Sequence, residues 1–454
     1  MKLKLFGSSG IRGRVNKEIT PVLTQRIGAA LATIHQGGTT VVGRDARISG
    51  PMLEGALVSG LASAGMDSFI IGLVPTPLSA WTVKYLGADA GIEITASHNP
   101  AEYNGLKIFN NKGMSLTQKE QLEVENVLEN ELYRLAPWDG VGTLEKIFPI
   151  EDYINELSLS IDLDIDEKIA CDLYNGATCT VAPLLMDDFS LRVDFINGVA
   201  DGTFPSGNPE PSEKSLGRLG RFMTSRDITI GFGFDGDGDR MMLVDSSGRM
   251  VDPDRLLASF AAYEVEKNQG GTVVTHVGAS MNVDEMVEKA GGNVIRTPVG
   301  DAFITEAMED NKSVFGGEPV GAWVHPSVHM CPDGLLSALK LLEALEETGL
   351  NLEEFLRETP TYPLSREKLE CPENKKESTL KFISSNYRDT FNNVQSINTV
   401  DGVRLELEEG WVLIRPSGTE PLIRITVEAK TKQFVREYMD KGIILIKKSL
   451  RELK

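Results

Sequence analysis

A chain of 454 residues, 41% hydrophobic and 25% charged, is long enough for about three or four domains, each with its own core. Its formal net charge of −20 speaks against general nucleic-acid binding, because no basic stripe outweighs it; small anionic ligands stay open, since they need only a few local arginines. No uninterrupted apolar run reaches the ~18 residues that span a bilayer, and Gly7, Ser8, Ser9, Gly10 and Arg12 break up any apolar signal core, so no membrane is expected and the cytoplasm is the expected compartment. Cys171, Cys179, Cys331 and Cys371 form no C-x-x-C, which predicts free thiols rather than zinc or thioredoxin-like chemistry.

In chain order, the first ~140 residues alternate strand and helix signals. Thr39 to Val42 reads as a strand ending in Gly43-Arg44-Asp45-Ala46-Arg47, and a helical period follows from Pro51 to Ala64. Ser68 to Leu73 is a second strand, Pro75-Thr76-Pro77 opens a helix, and Ala90 to Ile94 is a third, buried strand leading to a loop over 101–107. Strands joined by helical crossovers imply a parallel sheet with helices on its faces. The pattern recurs from Lys168 to Leu173 and closes with the strand Ile228 to Phe234. It recurs again from Pro253, where proline suits the first helical turn, through strands at 272–275, 293–296 and 313–315. Composition changes near Thr361. Beyond it strands are expected at 399–400, 403–407, 411–414 and 422–429, with Asp401-Gly402 as a tight hairpin turn, and a helix over 432–450. The expected class is α/β, with three similar strand–helix domains at 1–145, 146–248 and 249–358 and a C-terminal α+β domain at 359–454. Open α/β sheets bind ligands beyond the carboxyl ends of their strands, so the loops of the three units can face one central cleft.

Those loops are distinctive. Thr95-Ala96-Ser97-His98-Asn99-Pro100 holds a serine at a strand end, a seat for a hydroxyl that carries a group covalently. Arg12, Arg44, Arg47 and Lys107 flank it in this reading. His98 is a candidate base, although neighbours on an extended segment point oppositely. Asp235, Asp237 and Asp239 alternate with glycines that let the backbone curl until the carboxylates converge. Such an all-oxygen cluster suits Mg²⁺, the alternative being an acidic surface turn. An EF-hand fails, because its sixth position would be Arg240 and its twelfth Ser246. Gly231, Gly233 and Gly236 match G-x-G-x-x-G only formally, since Asp235 and Asp237 would repel a pyrophosphate. Arg415-Pro416-Ser417-Gly418-Thr419-Glu420-Pro421 offers a guanidinium fork, two hydroxyls and an amide nest for a phosphate, with Arg424 adding charge; an ordinary hairpin loop is the alternative. Glu318, after Gly316-Gly317, can accept hydrogen bonds from two sugar hydroxyls, or can simply be a solvated glutamate. His325 and His329 are further acid–base candidates, whereas His35 and His276 carry no signal.

Taken in order, these stretches closely resemble the α-D-phosphohexomutase family. The resemblance runs through Phe6 to Gly13, Gly43-Arg44-Asp45, Thr95 to Pro100, Asp235 to Arg240, Thr297-Pro298-Val299-Gly300-Asp301, Gly316-Gly317-Glu318 and Arg415 to Pro421. It implies four domains around a central cleft. Ser97 would be the phosphoserine, with Asp235, Asp237 and Asp239 holding one Mg²⁺ beside it. Lys107 and Arg12 would lie by the reacting phosphate, with Lys107 as an acid–base group. Glu318 would read sugar hydroxyls, Arg240 would help balance charge, and the Arg415 loop would grip the other phosphate. The reaction implied interconverts a hexose or hexosamine 6-phosphate and its 1-phosphate through a bound 1,6-bisphosphate, which also serves as primer. The expected partner is a small sugar phosphate, with the chain a monomer or homodimer and the C-terminal domain hinged near residues 355–365. The chain departs from the family's G-G-E-x-S-G-H, having Val320 for the serine and Ala322 for the histidine, and with Pro319 and Trp323 it is most similar to archaeal-type phosphoglucosamine mutases. Rival readings are phosphomannomutase or phosphoglucomutase, an aspartyl phosphatase using Asp235-Gly236-Asp237, and a non-catalytic sugar-phosphate sensor.

Overall fold

The structure, a computed structural model, describes residues 5–7, 9–417 and 420–452. Among these the strands form four sheets, one for each successive stretch of chain. In the first, Thr39–Arg44 lies between Asp67–Leu73 and Ala90–Ile94, all parallel, and Leu144–Lys146 adds a parallel edge. The helices Pro21–Ile34 and Gly50–Ser63 pack closely through Gly28 and Gly60; a Cβ at Gly60 would stand 2.0 Å from the Gln25 carbonyl oxygen.

The sheet is mixed rather than all parallel. The stretch expected as a loop over 101–107 is largely strand: Tyr103–Asn110 runs antiparallel to Ala90–Ile94, and Ile11–Arg14 runs antiparallel beyond it. Its apolar residues Leu106, Ile108 and Phe109 are buried, and Gly105 hid the signal. That glycine is required, because a Cβ there would lie 2.2 Å from the Ile11 carbonyl oxygen.

The second sheet places Lys168–Asp172 between parallel Arg192–Ile196 and Ile230–Phe234, with Met241–Val244 antiparallel at the edge. The third places Gly271–His276 between parallel Gly292–Thr297 and Phe315–Glu318, and Ala322–Val324 turns back antiparallel. Here the strand expected over 313–315 begins later and continues through both glycines to Glu318. The fourth sheet is antiparallel throughout, backed by helices Lys376–Asn386 and Lys432–Glu452. Its strand Val394–Asn398 precedes the position expected; Asp401-Gly402 lies in the hairpin connection from it to Val403–Leu407, and a tighter, two-residue turn falls at Glu408 and Glu409.

One hydrophobic core runs through the first three stretches, from Trp81 and Tyr153 through Phe232 and Leu257 to Trp323 and Leu336. Phe391, Ile414, Ile425 and Tyr438 belong to a separate core in the fourth. The two meet where Trp411 and Leu413 pack on Val277. Buried Arg404 ties them, donating to the carbonyls of Val277 at 2.6 Å and Ala279 at 3.1 Å while its guanidinium lies 4.2 Å over the Trp411 ring. No described helix is long and apolar enough to cross a membrane.

Candidate active site

The strand Ala90–Ile94 delivers Ser97 into a left-handed backbone conformation, φ 51°. A residue with a Cβ is held there only if its surroundings compensate. They do so through Asp45 and Arg47, which follow the neighbouring strand. Thr95 Oγ1 accepts from the Ser97 amide and donates to Asp45 Oδ2, each at 2.8 Å. Arg47 is fully buried and donates to the carbonyls of Ser97, Asn99 and Pro100 at 2.7 Å and of Tyr103 at 2.9 Å, while its Nε pairs with Asp45. So Arg47 builds the serine loop and does not face a ligand. Arg44 points elsewhere and pairs with Glu54 at 3.3 Å.

The acidic loop of the second sheet closes on this serine. Ser97 Oγ donates to Asp235 Oδ2 at 2.6 Å. Thr76 braces the approach, its hydroxyl donating to Asp237 Oδ2 at 2.6 Å and its amide to the Asp237 carbonyl at 2.8 Å. One oxygen from each of Asp235, Asp237 and Asp239 lies within 4.8 Å of the others, and all three residues are buried. Among the described residues the Oδ1 atoms of Asp237 and Asp239 have no hydrogen-bond partner. Buried anionic oxygens without donors are costly, and a hard divalent cation is the group that fits them.

Lys107 owes its position to the unforeseen strand Tyr103–Asn110. Its Nζ lies 2.7 Å from Asp237 Oδ2 and also bonds Asp239. Burial alone would favour the neutral amine, but Asp237 and Asp239 outweigh it and hold the lysine charged. Burial likewise works against ionised Asp237, yet Lys107 and the Thr76 hydroxyl draw its pKa below the usual range. Asp235 goes the other way: burial, then Asp239 and Asp237, push its carboxyl up. Arg12 is half-buried; its Nε and Nη2 atoms are buried and have no hydrogen-bond partner among the described residues, and its Nη1 reaches Asn99 Oδ1 at 3.5 Å.

His98 corrects the sequence expectation. Because Ser97 is left-handed rather than extended, the two side chains meet, with Ser97 Oγ 3.2 Å from His98 Nδ1. Burial, then Arg240 and Arg12, lower the imidazole to about 4, so it is neutral near pH 7. His325 and His329 sit in interior hydrogen bonds instead, to Ser337 Oγ at 3.1 Å and Asp333 Oδ2 at 3.0 Å. Asp333 also takes the Tyr153 hydroxyl and caps the helix Gly334–Thr348, so this network joins the second and third units.

Glu318 is buried at the end of its strand, not solvated, and burial raises it to about 7 against the pull of Arg240. Gly300 donates its amide to Glu318 Oε1 at 3.2 Å. His276, passed over in the sequence, stands 3.9 Å from the same oxygen. The one signal that could have found it is its place at the end of a central strand of an open sheet. In the fourth unit Arg415 pairs with Asp401, which also accepts the Val299 amide at 3.2 Å. Ser417 is buried and its Oγ accepts from the Glu420 amide at 3.2 Å. Arg424 is half exposed and pairs with Glu420 at 3.0 Å. Gly418 and Thr419 lie outside the described residues.

Comparison with known proteins covers the same stretches. Residues 3–134, 151–248 and 252–362 match the phosphoglucomutase/phosphomannomutase alpha/beta/alpha domains I, II and III, and residues 368–442 match that family's C-terminal domain. A phosphoglucosamine mutase of Methanocaldococcus jannaschii is 40% identical over 455 residues, covering 99% of this chain and 100% of that protein. A crystal structure of a phosphoglucomutase/phosphomannomutase family protein from Burkholderia thailandensis superposes with a TM-score of 0.89 at 26% identity, over 98% of this chain and 97% of that one. An Aspergillus fumigatus N-acetylphosphoglucosamine mutase, solved in complex with GlcNAc-6P and magnesium, shares the fold with a TM-score of 0.58 at 15% identity, over 99% and 96% of the two chains.

Proposed function

The chain belongs to the phosphoglucomutase/phosphomannomutase family, and on that footing we propose that it interconverts a hexosamine 6-phosphate and the 1-phosphate by passing phosphoryl through Ser97. It is a phosphosugar mutase, an isomerase. The hexosamine is the substrate class in the name of the Methanocaldococcus relative. The observation that carries the reading is the 2.6 Å bond from Ser97 Oγ to Asp235 Oδ2, which joins residues 138 apart in sequence and carried by different sheets.

In the forward direction the free sugar hydroxyl attacks the phosphorus of phospho-Ser97, the P–Oγ bond breaks, and a 1,6-bisphosphate results. After that intermediate turns over, Ser97 Oγ attacks its other phosphate and the sugar oxygen leaves. Two displacements at one serine replace a single difficult exchange. Asp235, Asp237 and Asp239 would hold Mg²⁺, with Ser97 adjacent; the ion supplies charge stabilisation for the transferring phosphoryl group. Lys107 is held cationic, which suits it to offset the charge of the transferring phosphoryl group rather than to accept a proton. Neutral His98 at 3.2 Å can take the proton from Ser97 Oγ when that oxygen attacks. Arg12, with unused N–H groups, and Arg240 offset phosphate charge. Glu318 accepts from sugar hydroxyls, and Arg415 with the Ser417 loop and Arg424 holds the distal phosphate. The four domains correspond to 1–145, 146–248, 249–358 and 359–454. Four cysteines without a disulfide suit a reducing cytoplasm, where the chain would act as a monomer or homodimer.

Ser97→Ala is expected to abolish turnover while leaving far-UV circular dichroism unchanged. Glucosamine, mannose and glucose phosphates are compared by kcat/KM with a 1,6-bisphosphate primer. Near-normal mutase activity in the variant would refute the covalent step, and preference for mannose or glucose phosphate would refute the hexosamine. Net phosphate release without isomerised sugar would favour a phosphatase.

A further inference from the structure

The hairpin that carries Glu318 offers it no polar neighbour, since Val320 and Ala322 are apolar and Ala322 stands directly opposite Glu318. The polar neighbour comes from the adjacent strand. Gly271–His276 runs parallel to Phe315–Glu318 with Val273 beside Phe315 and Val274 beside Gly316. Thr275 continues that register, donating to the Gly317 carbonyl at 2.8 Å, and the next step brings His276 alongside Glu318. The Nε2–Oε1 separation is 3.9 Å, too long for a direct hydrogen bond.

The tautomer of His276 is fixed. The Gly278 amide donates to its Nδ1 at 2.9 Å, so that nitrogen is the acceptor and the proton resides on Nε2. The ring is nearly buried, with side-chain exposure of 12%. Burial, then Arg296 and Arg415, keep it neutral, with a pKa lowered to about 3. A donor and an acceptor therefore face one gap. An oxygen placed roughly 2.8 Å from each would fill it.

We infer that His276 and Glu318 together read one hydroxyl of the sugar, the histidine Nε2–H donating to the oxygen while the carboxylate accepts its proton. The inference deepens the mutase reading and rests on it. A hydroxyl satisfies both groups because it donates and accepts. A protonated amine, with three donors and no acceptor, satisfies only Glu318. His276 thus selects a ring hydroxyl rather than the amino substituent, and it stands in for the polar side chains absent at 320 and 322.

The test separates binding from turnover. In a Ser97→Ala background, glucosamine 6-phosphate affinity is measured by calorimetry with and without His276→Ala, and again with analogues lacking one ring hydroxyl each. His276→Ala is expected to weaken binding about tenfold, with His276→Asn, which keeps an N–H donor, recovering part of the loss. One deoxy analogue is expected to bind poorly to the parent and to lose nothing further on His276→Ala. Unchanged affinity, or equal added losses with every analogue, would overturn the role of His276 while leaving the mutase reading intact. Failure of the enzyme with Ser97 present to isomerise any sugar phosphate would overturn both.

Discussion

Glu318 gives a residue-scale prediction with a definite sign. An ordinary glutamate titrates near 4.3, and burial raises this one to about 7. Its carboxylate is therefore fully formed only above neutrality, and an acceptor role predicts that kcat/KM declines below about pH 7. Glu318→Gln should lower activity and abolish that acid limb; persistence of the limb would assign it elsewhere. For stability, the folded state binds more protons than the unfolded one between the two values. The favourable contribution is present below pH ~4.3 and is lost as pH rises through 7, on the order of 3 kcal/mol. The glutamine variant should accordingly gain denaturant resistance relative to the parent at pH 8 and not at pH 4. The three aspartates and Ser97 were readable because glycine punctuation and carboxylate repetition have few other uses. The directions of the His98 and His276 side chains were not legible for one reason: the angle of a side chain depends on a backbone conformation, or a strand register, that spacing does not encode.

At the scale of elements, loops are placed by what braces them. Ser97 depends on Arg47, whose guanidinium serves four carbonyl oxygens, and the acidic loop depends on Gly236. A Cβ at Gly236 would lie 2.6 Å from the Ser97 carbonyl oxygen and 3.0 Å from Pro209 Cγ. Gly236→Ala is expected to cost about 1–3 kcal/mol in displaced packing and to lower kcat tenfold or more, with circular dichroism unchanged. Wild-type kcat in that variant would mean that the two loops have slack. The parallel strands Thr39–Arg44 and Ala90–Ile94 were legible from continuous apolar runs. The antiparallel strand Tyr103–Asn110 was not, because its polar residues Asn104 and Lys107 are both buried, Asn104 bonded to Ser49 Oγ at 2.8 Å and Lys107 turned to the acidic loop. Function interrupts the periodicity by which a strand is recognised.

The whole molecule divides unequally. Three units share a continuous core and a buried Tyr153–Asp333–His329 network, while the fourth keeps its own core and meets them through a small contact at Trp411. The connection near 355–365 is pinned by Arg255, which donates to the carbonyls of Leu356 at 2.6 Å and Thr359 at 3.1 Å. Arg404 then fastens the fourth unit to the other three. Arg404→Ala is expected to accelerate tryptic cleavage at exposed Arg357 and to raise KM for the sugar phosphate several-fold; unchanged digestion and KM would argue for a rigid assembly. This division was visible in the sequence as a change in composition near Thr361. The contact itself was not, since a lone arginine inside a strand reads as solvated.

Asp401 has a consequence for selectivity. The guanidinium that would clasp a distal phosphate is already matched by this carboxylate, which is also bound to the backbone of the third unit. An incoming anion meets a guanidinium whose Nη2 is taken and whose Nε is without a partner among the described residues, so it would share the cation with a resident charge that also ties the units together. Dilute chloride or a lone carboxylate would gain little from a cation already partly neutralised, whereas a dianion anchored by its sugar at the far end would gain at both ends.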